Sequence, residues 1–237
     1  MPSPPSFVTI HASEIRHNPL MPLVYAVAVG LAAVAAGHRA AGRLWPGASR
    51  GERLALAGAL ALAAAAYVVF LIGWAGQLRL GLIVGAALLL AGAIGNARGL
   101  WADLKGAAPP SWLWAGALTA FLLLAVIAAL APPVAVEWDA LAYHLALPKQ
   151  WLELNRVTPF PYDHHSYFPQ LTEMLFTGGL AAAGYGGAKL MHTLLSLLTV
   201  LAAGGFAARR FGTRAGYWTA LAVAACPLAL WEAGTGY

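Results

Sequence analysis

Side chains able to do acid–base chemistry are most concentrated in one stretch, residues 138–175, which reads WDALAYHLALPKQWLELNRVTPFPYDHHSYFPQLTEML. It holds Asp139, Glu153, Asp163 and Glu173 with His144, His164 and His165, in a chain only 10% charged. Apolar runs flank it at 112–131 and 190–208. Ionisable groups are costly to hold beside a membrane slab, so such a cluster usually marks a working surface.

Asp139 has two readings. A carboxylate at a helix start accepts from free N–H groups and suits the dipole. Held against a bound hydroxyl, the same carboxylate is a general base. WDALAYHL fits an amphipathic helix with Trp138, Leu141, Ala142 and Leu145 on one face at about 100° per residue. Asp139 and Tyr143 then share the polar face, and Pro148 ends or kinks the helix. His144, five residues after Asp139, points away from it on a continuous helix, so a metal site from those two is not expected. His164 and His165 are either a metal-binding pair or a solvated loop pair. Lys149 and Arg156 are phosphate contacts or ordinary cations at the headgroup level. Glu173 opens an apolar helix, where it either suits the dipole or faces a cavity shared with Asp139.

The elements that must carry these residues are set by composition. The 237 residues are 60% hydrophobic with a mean hydropathy of +0.69. A soluble domain is about 45–50% apolar and about 25% charged. The 26 glycines suit close helix packing in lipid. The fold expected is all-α, a polytopic helical membrane protein. The net charge of +5 lies in short loops rather than in a basic patch interleaved with aromatics, which argues against nucleic acid. A single cysteine, Cys226, excludes an intrachain disulfide and reads as a small buried apolar residue.

Apolar runs long enough to span fall at 20–37, 53–74, 79–97, 112–131, 190–208 and 214–232, which makes about six. The stretch 171–184 is too short and reads as a non-spanning helix lying along the membrane, apolar face down. The first twenty residues lack the charged start of a cleaved signal peptide. Trp74, Trp112, Trp114 and Trp231, near the ends of runs, read as interface anchors. Alternating spans place Arg39, Arg43, Arg50, Arg53, Arg98, Lys105, Arg209, Arg210 and Arg214 on one side. That side is expected to be cytoplasmic, with 132–189 facing out.

Order and spacing then carry a resemblance. Trp138-Asp139, Tyr143-His144, Pro148-Lys149, Phe168-Pro169-Gln170, Glu173, Arg209-Arg210 and Gly212-Thr213-Arg214 are similar to the membrane glycosyltransferases of the GT-C fold. Among these the pattern is closest to the bacterial relatives of the protein O-mannosyltransferases and of the aminoarabinose lipid A transferases. The resemblance covers residues 112–237, as the N-terminal part of such a module that relatives continue beyond this point. Residues 1–111 hold three extra transmembrane runs on which it is silent. It implies a sugar donor on a polyprenyl phosphate and transfer to a lipid, glycan or protein acceptor at the outer face of the bacterial cytoplasmic membrane. Asp139 would be the catalytic base. Tyr143, His144, Lys149, Arg156, Gln170 and Glu173 would be the substrate contacts. Some members use a divalent metal and others none, so the metal is open. Two other classes stay in view. One is a transporter or flippase, for which His192 and Ser196 speak. The other is a non-catalytic membrane scaffold.

Overall fold

In the computed structural model, residues 18, 20–105 and 112–236 are described. The reading of residues 1–17 lies outside them. The apolar runs become α1 (Met21–Leu44), α2 (Arg50–Trp74), α3 (Leu78–Lys105) and α4 (Trp112–Leu130). A polar segment follows with a π turn (Ala140–His144), α5 (Ala146–Leu154) and a 3-10 turn (His164–Tyr167). The chain closes with α6 (Leu171–Phe211), α7 (Thr213–Ala224) and α8 (Pro227–Ala233). Among the described residues five helices, α1 to α4 and α6, are long and apolar enough to cross a membrane. The protein is therefore an all-α, multi-pass membrane protein, as its composition implies.

Helix α6 organises the bundle by packing against α1, α2, α4, α5, α7 and α8. Its 41 residues would reach about 60 Å if straight, twice the bilayer core. It is not straight. Ala183 and Gly184 leave helical geometry, and Gly184 has φ +68°, a conformation glycine takes without steric cost. A Cβ added to Gly179 would lie 2.6 Å from the carbonyl carbon of Gly187. Eight residues of straight helix would separate the two by about 12 Å. The chain therefore doubles back, with a short first arm over 171–182 and a long second arm over 185–211.

This corrects one expectation. The 171–184 segment is indeed too short to span, but it does not lie along the surface. Met174, Phe176 and Thr177 are buried, and Leu175 packs against the cluster of Ala33, Ala55, Leu62 and Leu198. The first arm is a short turned-back helix whose Met174, Phe176 and Thr177 face is packed within the bundle.

The sixth run is corrected too. Residues 214–232 are not one span but α7 and α8, broken at Ala225-Cys226. Pro227 has no N–H to donate and its ring would clash with the preceding turn. The break leaves Cys226 exposed, not buried as expected. Thr193 Oγ1 donates to the Ala233 carbonyl at 2.6 Å, which ties the end of α8 to the second arm of α6.

The basic ends of the helices meet on one face. Arg209 grips Glu52 with two bonds of 2.8 and 2.9 Å. Asp103 takes bonds from Arg53 and His38, both 3.0 Å. The ends of α1 and α3 and the start of α2 are thereby joined to the end of α6, while the polar segment crowns the opposite face. Trp74, Trp112 and Trp231 are exposed. Trp114 instead packs on α7, stacked on Tyr217 at 5.4 Å and edge-on to Trp218 at 4.8 Å.

Candidate active site

The site is built where the polar segment folds over the first arm of α6. Asp139 stands at the start of the π turn and makes no side-chain capping bond. The capping role open to it in the sequence is therefore not the one it plays. The turn closes with the Leu145 N–H donating to the Ala140 carbonyl at 2.9 Å, five residues back. A π turn brings residues five apart toward one side. The regular helix expected over this stretch, with His144 turned away from Asp139, is not formed.

Two other details of that helix differ. Trp138 is exposed while Leu145 is buried, so they do not share one apolar face. Pro148 is buried in the first turn of α5, where its missing N–H has no helical partner to lose. It helps start a helix rather than ending one.

His144 Nδ1 meets Glu173 Oε1 at 2.7 Å. Glu173 is in the first turn of α6 and buried, with this histidine as its partner. Tyr143 stacks on His165, centroids 4.1 Å apart and planes within 1°. Burial first, then the charges of Asp139 and Glu173, push the Tyr143 phenol above its ordinary value of 10.0. The phenol thus stays a hydrogen-bond donor at neutral pH, and both carboxylates act on it. The elements bring Asp139, Tyr143, His144 and Glu173 into one neighbourhood.

Gln170 is buried at the entry to α6. Its Nε2 donates to the His165 carbonyl at 2.7 Å, and its Oε1 is buried without a hydrogen-bond partner among the described residues. Lys149 lies half-buried one turn into α5. Arg156 is not brought to the cluster. It is exposed just past Asn155, the left-handed residue that ends α5 at φ +52°. There the Asn155 carbonyl accepts from Leu78 N–H at 3.0 Å and Val157 N–H donates to Gly73 at 3.0 Å. Arg156 thus belongs to the α2–α3 corner, at the far end of α5 from Tyr143.

Sequence reasoning passed over a buried ion pair beside the site. Lys189 is wholly buried and donates to Glu137 Oε1 and to the Ala131 carbonyl, both at 3.1 Å. It pins the chain two residues before Asp139 to the second arm of α6. The one available signal was a lysine at the mouth of an apolar run with an acid in the preceding loop. Asp163 is held just as closely in the loop that follows. Its Oδ1 accepts from the His165 backbone N–H at 3.0 Å and lies 2.8 Å from His165 Nδ1.

Away from these groups, an apolar cleft of about 250 Å³ opens between α1, α2, α3 and α6, lined by Tyr25, Leu62, Val69, Leu82, Met174 and Met191 among others. Comparison with protein-family models, with curated proteins and with solved structures finds no match to this chain. The fold and the site define its class: a multi-pass helical membrane protein with a cluster of ionisable and aromatic side chains at one end of its bundle.

Proposed function

We propose that this protein is a membrane glycosyltransferase that moves a sugar from a polyprenyl-phosphate donor to an acceptor at the outer face of the bacterial cytoplasmic membrane. The observation that carries the reading is Asp139, a carboxylate at a helix entry with no capping bond, set beside Tyr143 over an apolar bundle. The acceptor hydroxyl must lose a proton as it attacks the anomeric carbon, and Asp139 is the base. The phosphate leaves with its charge already delocalised and needs cations rather than a strong acid. Lys149, half-buried in the first turn of α5, is the cation we assign to the phosphate, and Arg156 lies past the other end of that helix. His144, held by Glu173, and Tyr143 orient the sugar. Gln170 offers its unpartnered Oε1 to a substrate hydroxyl. A divalent metal, where present, would assist the leaving phosphate.

The support for outward placement of the site is the basic face opposite to it, following the positive-inside rule. The test is transfer of label from a polyprenyl-phosphate sugar in membranes carrying the full-length protein. Asp139→Asn should lower the transfer rate about 10²- to 10⁴-fold with donor binding retained. Absence of transfer by the unaltered protein, over the same membranes without it, would end the proposal.

A further inference from the structure

A separate cluster sits on the rim of the site. Asp163, His164 and His165 each offer a ligand atom, and the three atoms lie within 4.8 Å of one another. We propose that they form a binding site for a divalent transition metal, zinc by its donor set. The proposal concerns metal binding by these three side chains and does not rest on the glycosyltransferase reading.

Zinc–ligand distances of about 2.0–2.2 Å put tetrahedral ligand atoms about 3.3 Å apart. Seating an ion therefore asks each side chain to shift by about 1 Å or less, within the reach of small torsional changes. Two imidazoles and a carboxylate suit zinc and its neighbours in the first transition row, not the hard oxygen-seeking cations. Three protein ligands with an exposed flank leave a fourth position for water or substrate, and His164 is exposed.

The loop is already arranged for this. His165 Nδ1 and Asp163 Oδ1 already face one another at 2.8 Å, so an ion bound there would take the place of the proton they share. Both side-chain contacts to Asp163 fall on Oδ1. The rings of His164 and His165 are 3.9 Å apart between centroids, in keeping with ligand atoms within 4.8 Å of one another.

The backbone around them is locked. Ser166 Oγ donates to the Asp163 carbonyl at 2.6 Å, and Phe160 N–H donates to Ser166 Oγ at 2.8 Å. Tyr143 lies flat on the His165 ring. Gln170, already bonded to the His165 carbonyl, keeps a buried Oε1 with no partner among the described residues.

The experiment uses the full chain in detergent, purified without a histidine tag, stripped with chelator and titrated with zinc chloride. About one zinc per chain should bind, read by elemental analysis and calorimetry. His164→Gln and His165→Gln should each weaken binding more than about 100-fold, beyond the 10–100-fold of losing an outer partner. Glu153→Gln, an exposed change on α5, should bind as the unaltered protein does. Cobalt in place of zinc should give the intense visible bands of a four-coordinate site. Should the histidine variants aggregate, diethylpyrocarbonate labelling of the unaltered protein replaces them, with zinc expected to shield both histidines. No zinc uptake at tens of micromolar (a concentration far above any structural site), or full binding in the His164→Gln/His165→Gln double variant, or both histidines modified equally with and without zinc, would each overturn the site.

Discussion

At the scale of single residues, the capping and catalytic roles of Asp139 make opposite demands on one substitution. Asparagine caps a helix about as well as aspartate but takes no proton. Since Asp139 makes no capping bond, Asp139→Asn should leave the thermal midpoint of the detergent-solubilised protein unchanged while transfer falls. A loss of stability as large as the loss of activity would return Asp139 to a structural role. Tyr143 makes a second prediction. Its phenol is raised above 10.0 by burial, then by Asp139 and Glu173. A raised value means the folded state holds the proton more tightly than the unfolded one. The stabilisation is fully present below pH 10 and is lost as pH climbs through the folded value. Unfolding midpoints taken at pH 8 and pH 11 should therefore fall less in Tyr143→Phe than in the unaltered protein. An equal fall in both would show that Tyr143 is not coupled to folding.

Elements are decided by a few close approaches. The two arms of α6 touch at Gly179 and Gly187, where an added Cβ would meet backbone at 2.6 Å. Backbone has no flexible side chain to move aside, so Gly179→Val should destabilise by about 1–3 kcal/mol or more. Lower yield of folded protein and a lower midpoint are the readouts, and a normal midpoint would mean that the arms do not pack as described. The Lys189–Glu137 pair acts on a different joint. Removing one member leaves a buried charge alone, at a cost of about 3–5 kcal/mol. Lys189→Met should therefore be strongly destabilising, and Glu137→Gln added to it should recover much of the loss. If the double variant is no better than the single, the two side chains are not coupled.

For the whole molecule, the arrangement of faces is the testable feature. The Glu52–Arg209 and Asp103–Arg53 bonds gather the helix ends that carry arginine, and the polar segment lies at the other end. In a Cys226→Ser background, a cysteine at Tyr162, which is 66% exposed, should react with an impermeant reagent added outside intact cells. A cysteine at Gly212, at the other end of α6, should react only after the membrane is opened. Labelling of both from the same side would sink this topology.

What the chain determined alone is its class and the place of its polar segment. Twenty-residue apolar runs need no partner to declare themselves, because the bilayer acts on each of them separately. That is why α1 to α4 and the long arm of α6 fall close to the runs read at 20–37, 53–74, 79–97, 112–131 and 190–208. The acids and histidines of 138–175 stood out for the same reason. Tertiary structure decided the rest. One glycine at positive φ and one close pair of glycines turned a surface helix into a turned-back arm. A single proline split the last run. A π turn re-aimed His144, and its pairing with Glu173 joins residues 29 apart in the chain. Likewise the Lys189–Glu137 pair bridges 52 positions. Periodicity reports which face of an element is apolar. It carries no record of which neighbour that face will meet, because that depends on contacts between segments distant in sequence.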